Sequence, residues 1–416
     1  MIAAPTRLHP LNLPTVNILF VANRFPYPPF RGDKLKIWNL ARRLGNRHRL
    51  HLITFLEDPA DLQYLPELRK HFAEITLVPL PRRHSILQCA KAIFSKTPFQ
   101  VAFFRSAAFR KKLKAILQKE TFDAIHVQHL RMAQYFPNPQ ELPVILDLPD
   151  AFSLYWQRRS MVPRPWWQRL FDKVEQKRIA RYEQVLNHFR MNLVCSVEDL
   201  DFLKKQHPKA RIELLPNGVD SRAFQPGSDK QVIEKRLLFT GNMDYAPNVD
   251  AVVHFAHCIL PRIKQEHPDV AFVIAGQRPV AAVLALRDFG VTVTGFVPDL
   301  AEEYARACLV VAPLRFGAGT QNKVLEAFSM AVPVVCTPVG FKGLGIESGN
   351  GAVMCSDDAA FSATVNHLLN HPEERAAIAK KGRALVETRF DWDIIALRLE
   401  DYLQEMARNR RPAAGA

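Results

Sequence analysis

The chain has 416 residues, 48% of them hydrophobic and 23% charged, a composition typical of folded globular proteins and too apolar for a disordered chain. At roughly 150 residues per domain, this length predicts two domains. The net charge of +15 is carried by one half, since residues 1–226 have a net charge of +17 and the remainder −2. A basic half suits nucleic acid, an anionic membrane or a phosphorylated ligand. We expect no nucleic-acid partner, because zinc-finger, RNP-like and basic heptad motifs are absent from the sequence.

The cysteines and the apolar runs bear on the compartment. Six cysteines occur without a C-x-x-C pair, which favours a reducing environment and no metal site. The N-terminus lacks the pattern of a signal peptide, and no apolar run approaches the roughly 20 residues that cross a bilayer. The sequence therefore predicts a cytoplasmic protein that neither is secreted nor spans a membrane.

In the first half, short apolar runs alternate with stretches of helical period, which is typical of βαβ units. The predicted strands are 16–22, 50–55, 74–79, 124–128, 143–148 and 193–196, and the clearest helices are 34–44, 109–118 and 169–187. This order predicts an open, parallel α/β domain.

The alternation restarts after the Pro- and Gly-containing stretch 224–230. It predicts strands 236–240, 270–275, 291–294, 309–313, 333–336 and 351–354, with helices 248–265, 280–289, 300–307, 322–330, 359–369, 372–388 and 392–407. We predict domains at 1–226 and 227–390, then a C-terminal helix and frayed tail at 391–416, the helix packing back toward the first domain. Ligands of such sheets bind at the carboxyl ends of the strands.

The segment 315–321 joins a predicted strand to a predicted helix and contains Gly317 and Gly319. Glycines let the backbone approach an anion closely, and a helix N-terminus attracts one. Lys323 and Glu326 follow on the same helical face as Gly319, so a cation for a diphosphate stands one turn before a carboxylate for the hydroxyls of a ribose. One alternative is an ordinary exposed Lys/Glu pair.

A dinucleotide fingerprint is the other alternative for this segment, because Gly317 and Gly319 have its first spacing. Asn322 occupies the position of its third glycine, and no ribose-binding acid follows the next strand, which ends at Cys336. These departures argue against an NAD enzyme.

Three segments, 215–226, 239–250 and 323–340, carry a family resemblance. They resemble group 1 (family 4) glycosyltransferases, in particular the sugar transferases of bacterial exopolysaccharide and PEP-CTERM gene clusters. The resemblance implies the GT-B fold, two Rossmann-like doubly wound α/β domains facing a central cleft. It also implies a retaining, hexosyltransferase-type enzyme that takes a nucleotide-sugar donor and requires no metal or other cofactor.

The resemblance also implies a set of donor-binding residues, of which the second-domain segments carry most. They are Gly32, Asn242, Arg315, Gly317, Gly319, Thr320, Lys323 and Glu326. Two departures affect this set. Ala318 stands where relatives have a second glutamate, and Asn242 and Asn248 stand where many have an arginine and a lysine that bind the diphosphate.

The first domain supplies the candidate residues for the acceptor. The resemblance assigns the loop with Arg31, Gly32 and Lys34 to the donor diphosphate and the acceptor, although a solvated turn is an alternative. His126 and His129 lie at a strand end where relatives have a residue that contacts the acceptor or the transferred sugar. We take His126 and Asp150 as candidate catalytic residues and Arg31, Lys34 and His129 as candidate acceptor-binding residues.

One segment of the first domain is rich in basic and aromatic residues. Arg158, Arg159, Arg164, Arg169, Lys173, Lys177 and Arg178 surround Trp156, Trp166, Trp167 and Phe171. This mixture suits an anionic membrane interface. It predicts a saccharide acceptor, lipid-linked at the inner face of the cell membrane, unless the aromatic residues form the core of a long helix.

Two competing functions fit the same scaffold. A non-hydrolysing nucleotide-sugar epimerase would need no acceptor, and a non-catalytic nucleotide-sugar-binding subunit would explain Ala318.

Overall fold

The computed structural model describes residues 14–163, 165–227 and 232–408. The chain forms two compact units. One consists of residues up to 195, 199–216 and 393 onward, and the other of 196–198 and 217–392. Three features named in the sequence analysis lie outside the described residues. They are Arg164, the end of the 224–230 stretch and the predicted frayed tail from residue 409.

The first unit contains a seven-stranded parallel sheet. Its strands are β1 (Asn17–Ala22), β2 (Arg49–Leu56), β3 (Glu74–Pro79), β4 (Ala124–Gln128), β5 (Val144–Leu148), β6 (Met191–Val194) and β7 (Ile212–Leu214). They lie in the order β3-β2-β1-β4-β5-β6-β7, so the direction of the crossovers reverses between β1 and β4. Strands β1, β4 and β5 are buried almost throughout, as expected for parallel strands covered on both faces.

The helices of this unit connect its strands. They are α1 (Gly32–Leu44), α2 (Leu65–Arg69), α3 (Arg82–Ala92), α4 (Phe99–Phe103), α5 (Ala107–Lys119), α6 (Phe152–Met161), α7 (Trp166–Tyr182) and α8 (Val197–Gln206).

The second unit repeats the plan with a six-stranded parallel sheet. Its strands are β8 (Arg236–Thr240), β9 (Ala271–Ala275), β10 (Thr292–Gly295), β11 (Leu309–Ala312), β12 (Val334–Cys336) and β13 (Ala352–Met354), in the order β10-β9-β8-β11-β12-β13. The crossovers reverse between β8 and β11. Its helices are α9 (Ala246–His254), α10 (Leu260–Glu266), α11 (Ala281–Leu284), α12 (Leu300–Ala305), α13 (Asn322–Ser329), α14 (Pro338–Phe341), α15 (Asp358–Asn370) and α16 (Pro372–Leu385).

The last helix, α17 (Trp392–Arg408), packs on the first unit. The buried Glu400 carboxylate lies 2.8 Å from Nε2 of His48 and 2.6 Å from Nη2 of Arg47. Arg211 donates two hydrogen bonds to Glu405. Polar contacts of this kind fix a helix at one place on a domain.

The α/β fold class is confirmed, and all twelve predicted strands are present, displaced at most by two residues at an end. Strand β7 and several short helices were not predicted. Helix α3 illustrates the reason, because only Ser85 and Ala92 of its side chains are buried. A helix that does not bury an apolar face lacks the periodic pattern by which helices are detected. No helix among the described residues is both long and apolar enough to cross a membrane.

Candidate functional site

The second sheet places the glycine-containing segment at its point of reversal. Residues 315–321 follow β11 and lead into α13, next to the end of β8. Gly317 and Gly319 have φ angles of 147° and 76°, which favour glycine over any residue with a Cβ atom. The segment therefore brings the backbone to the carboxyl edge of the sheet, where ligands of doubly wound domains bind.

Lys323, in the first turn of α13, has a buried side chain that is only 6% exposed. Its Nζ donates to Oδ1 of Asn248 at 2.7 Å and lies 4.3 Å from the centre of the Phe239 ring. The described residues supply no second oxygen acceptor for this ammonium, which has three N–H groups. Burial lowers the pKa of Lys323 to about 7, against the opposing effect of Glu326. An anion at this position would restore the charged form.

Glu326 lies one turn further along α13. Its Oε2 accepts a hydrogen bond of 2.8 Å from the hydroxyl of Tyr304, which is 2.6 Å from Oγ1 of Thr240. Burial raises the pKa of Glu326, although the Tyr304 hydrogen bond and Lys323 oppose the shift. No described residue donates to Oε1, so one carboxylate oxygen is held in place and the other can accept from a ligand.

Three further predicted donor residues of the second unit follow the strands β8 and β11. Arg315 forms two hydrogen bonds with the carboxylate of Asp250, at 2.5 and 2.8 Å. Asn242 accepts from Asn248 through its backbone oxygen. Thr320 is 9% exposed. Asn248 thus connects Asn242 to Lys323, whereas the charge of Arg315 is already paired.

In the first unit, the structure places His126 in the interior. Its ring is fully buried, and Nε2 lies 3.0 Å from Oδ2 of Asp147. The other oxygen of Asp147 accepts from Nζ of Lys36 at 2.7 Å. Burial opposes the ionisation of Asp147, but Lys36 and His126 outweigh it and lower its pKa. A catalytic role for His126 stays a prediction, and this burial favours positioning through Asp147 over direct contact with a ligand.

His129 and Asp150 lie nearer the edge of the same sheet. His129 has a φ of 86° and stacks on Phe152 at 4.8 Å. Burial, with the nearby charges of Arg131 and other arginines, holds the pKa of His129 well below its usual range. Desolvation and the Asp199 carboxylate raise the pKa of Asp150 to about 8, so this group is mostly protonated at neutral pH.

The predicted acceptor loop forms the start of α1. Arg31 is the N-cap residue and Gly32 the first residue of the helix. Nζ of Lys34 lies 3.8 Å from Asp61, and burial lowers the pKa of Lys34. The structure thus brings Arg31, Gly32 and His129 to the edge of the sheet and pairs Lys34 with an acid.

Among the described residues, three groups of side chains have ligand atoms close enough for a metal ion, all within 4.8 Å of one another in each group. They are His254, Cys258 and Asp358; His51, Glu74 and Glu120; and Asp150, Cys195 and Asp199. The Lys323 and Glu326 side chains belong to none of them.

Sequence reasoning missed Tyr304 and the pairing of Lys323 with Asn248. Tyr304 lies on α12, a helix with no motif, and reaches Glu326 only because β8, β11 and α12 pack together. Asn248 had been noted only as the replacement of a cation. No local signal in the sequence could have revealed either contact.

Comparison with known proteins finds a family match within the second unit. The family model described as "Glycosyl transferases group 1" matches residues 234–371. An uncharacterized 44.6 kDa protein in the cps region of Klebsiella pneumoniae is 25% identical over 37% of this chain and 42% of its own length. A GDP-mannose-dependent monoacylated alpha-(1-6)-phosphatidylinositol monomannoside mannosyltransferase of Corynebacterium glutamicum is 28% identical over 49% of this chain and 58% of its own. The chain thus spans about half the length of these curated relatives.

The structure of sucrose-phosphate synthase from Thermosynechococcus elongatus matches with a TM-score of 0.72, covering 95% of this chain and all of that one. At 16% identity, the likeness concerns the fold alone. It confirms the predicted GT-B fold of two Rossmann-like domains.

The depressed pKa of Lys323 gives a pH dependence with a definite sign. Because the ammonium loses its proton near pH 7 and a diphosphate favours the charged form, binding above pH 7 must take up a proton. We expect uptake of roughly one proton at pH 8.5, and an affinity that falls up to tenfold per pH unit between pH 7.5 and 9. Titration calorimetry with UDP and GDP in buffers of different ionisation enthalpy measures both.

Lys323→Met should abolish the proton uptake, whereas Lys380→Met, at an exposed position of α16, should leave it unchanged. Affinity that is independent of pH over this range would contradict the assignment.

Proposed function

We propose that this chain, in which residues 234–371 form a group 1 glycosyl transferase domain, is a glycosyltransferase that moves a sugar from a nucleotide-sugar donor to a saccharide acceptor. The observation that carries the proposal is the α13 arrangement. It combines a helix N-terminus, the under-coordinated ammonium of Lys323 and, one turn on, a carboxylate held by Tyr304. These groups match the diphosphate and the ribose hydroxyls of such a donor.

The proposed reaction breaks the bond between the sugar and the diphosphate and forms a bond from the sugar to an acceptor oxygen, with retention of configuration. The N-terminal end of α13 and Lys323 stabilise the negative charge of the departing diphosphate. The acceptor proton passes to a phosphate oxygen of the leaving group. The step therefore requires neither a strong protein base nor a metal ion.

The proposed acceptor is a lipid-linked saccharide at the cytoplasmic face of the membrane, in exopolysaccharide or glycoconjugate synthesis. The cps-region relative and the phosphatidylinositol monomannoside mannosyltransferase support this acceptor. So does the exposure of the aromatic residues on α7, since Trp166, Trp167 and Phe171 are 77%, 57% and 44% exposed. These three are not core residues of a long helix, which was the alternative, whereas Trp156 on α6 is half-buried and packs against the core of the first unit.

A second exposed apolar group adjoins these residues. Ile93 and Phe94, just after α3, are 58% and 93% exposed. The Phe99 ring stacks on Phe171 at 5.6 Å, and Arg178 donates to the backbone oxygen of Ile93. Segment 93–99 and α7 therefore form one surface, which we name the α3–α7 surface.

The charges of the α3–α7 surface are positive on the outside. Helix α7 carries Arg169, Lys173, Lys177, Arg178 and Arg181, and segment 93–99 adds Lys96 and no acid. The acidic groups of α7 point inward, as Asp172 and Glu175 are at most 1% exposed. Exposed aromatic residues with a basic rim fit the interface of an anionic bilayer, and the proposed location is cytoplasmic and peripheral to the membrane.

Binding and release assays test the donor site. We expect one or more members of a panel of nucleotide sugars to raise the melting temperature and, with acceptor, to release nucleoside diphosphate. Glu326→Gln should weaken nucleoside diphosphate binding by about 1.5–3 kcal/mol, since it removes a charged acceptor. Glu347→Gln, at an exposed position of the second unit, is the matched control.

Unchanged affinity in Glu326→Gln would remove the assignment. Epimerised nucleotide sugar without acceptor would favour an epimerase, and donor binding without release for any acceptor would favour a binding subunit.

Sedimentation with vesicles tests the membrane proposal. Because exposed charges are screened by salt, the protein should bind phosphatidylglycerol vesicles and not phosphatidylcholine vesicles, and the binding should weaken between 50 and 500 mM salt. Salt screens exposed charges weakly at the lower of these concentrations and strongly at the higher one. Replacing Trp166 and Trp167 by serine should release the protein. Phe289→Ser, a change at a 55% exposed aromatic residue of the second unit, should not.

Protein that remains in the supernatant at low salt would contradict membrane binding and leave a dissolved saccharide as the acceptor.

A further inference from the structure

The first sheet has a cluster of arginines at its own point of reversal. Asn23 and Arg24 directly follow β1, and Arg131 follows β4. Gln128, the last residue of β4, donates through Nε2 to the backbone oxygen of Asp33 at 2.7 Å, which ties the first turn of α1 to this edge. Crevices at such reversals are where doubly wound sheets bind ligands.

Two guanidinium groups lie beside one carboxylate, and a third lies close to the first of them. Nε of Arg24 and Nε of Arg31 lie 3.5 and 3.7 Å from the two oxygens of Asp33. Arg131 has no carboxylate partner among the described residues. Its Nε donates to Oε1 of Gln100 at 3.2 Å. Arg24 and Arg131 also lie over the same ring, 5.6 and 5.3 Å from the centre of Phe104.

The charges of this cluster do not balance. Arg24 has a second carboxylate, Glu57, at 2.9 Å, so three guanidinium groups face two carboxylates. Burial, with repulsion from Arg24, lowers the pKa of Arg131 to about 10, which indicates crowding of positive charge. The neighbouring Asp150, with a pKa near 8, is mostly neutral at pH 7. Arg131 is therefore the guanidinium of this cluster for which the described residues supply an amide oxygen and no carboxylate in contact.

Asn23 gives a second and independent indication of a ligand. Its side chain is fully buried, and neither its amide nitrogen nor its amide oxygen has a hydrogen-bond partner among the described residues. Buried polar groups are nearly always satisfied, and an exception needs a water, an ion or a ligand. Asn23 adjoins Arg24 in the chain, and the N-terminus of α1 begins at Gly32 on the same edge.

We infer that Arg24, Arg31, Arg131 and Asn23 form an oxyanion-binding subsite at the carboxyl edge of the first sheet. Planar guanidinium groups bind phosphate and carboxylate oxygens in pairs. This subsite extends the proposed function and rests on it in one respect. The oxyanion is taken to be part of the acceptor of the transferase. The acceptor of this chain is thus a saccharide that carries a phosphate or a sugar carboxylate.

Calorimetric titrations with inorganic phosphate and with glucuronate, at constant ionic strength, test the subsite. Arg31→Gln removes the guanidinium that is most exposed, at 42%, and Arg131→Lys keeps the charge but loses the planar fork. We expect each substitution to weaken binding of the preferred anion about tenfold, as loss of a charge-assisted hydrogen bond does. Arg110→Gln, at an exposed position of α5, is the matched control and should bind as the unaltered chain does.

Comparing the two anions distinguishes the two kinds of acceptor. Tighter binding of phosphate indicates a phosphorylated acceptor, and tighter binding of glucuronate indicates an acidic sugar. The inference is overturned if neither anion binds. It is also overturned if phosphate binding depends on Lys323 and is the same in both arginine variants. If phosphate binding requires Arg31 but the chain binds no nucleotide, the oxyanion subsite is supported and the proposed transferase activity is contradicted. If the chain binds a nucleotide but no anion binding depends on the arginines, the transferase proposal stands and the oxyanion subsite is contradicted.

Discussion

A buried ammonium with too few acceptors is the constraint on which the second-unit site depends. Lys323 is 6% exposed, and the part of the chain that the structure describes gives it one oxygen acceptor, Asn248, at 2.7 Å. Removing a cation from water costs several kcal/mol unless other groups replace its hydration. The site keeps this cost low in the unliganded state by giving up the proton near pH 7. In the proposed function, an entering diphosphate would supply the missing acceptors and the counter-charge together, so binding and protonation would be linked.

The first unit has a buried lysine that serves as a comparison. Nζ of Lys36 lies 2.7 Å from Asp147 and donates to the backbone oxygen of Leu215 at 3.2 Å, and Asp147 also contacts His126. Lys36 therefore has a carboxylate that Lys323 lacks. A satisfied buried network fixes the structure around it, whereas an unsatisfied one marks a position for a ligand. Nδ1 of His126 is itself buried without a hydrogen-bond partner among the described residues, so the criterion distinguishes the two lysines and not His126 from the arginine cluster.

Much of the fold follows from the sequence because it rests on local patterns. Apolar runs predicted the strands, and the glycines at positions 317 and 319 predicted a strand-to-helix turn before α13, whose start was predicted at Asn322. Side-chain contacts between distant segments could not be predicted in this way. Tyr304 and Glu326 meet only after the sheet and two helices have packed.

Exposure was equally hard to infer. His126, in an apolar stretch, is fully buried, and Trp166, in a basic and aromatic one, is 77% exposed. The difference arises from which face of the element meets the rest of the domain, and periodicity gives the face only when one side of the element is clearly apolar. Helix α7 has apolar residues on its outer side, so its pattern could not distinguish a core helix from a membrane-facing one.

Hydrogen exchange in the presence of a nucleoside diphosphate tests most directly whether the α13 arrangement is the nucleotide site. Ordered contacts with a ligand slow the opening of the local structure and protect its amides. Saturating UDP or GDP should slow exchange in peptides covering residues 315–330, and this protection should be lost in Lys323→Met. Protection confined to other segments, while those residues exchange at the rate of the unliganded protein, would contradict the account.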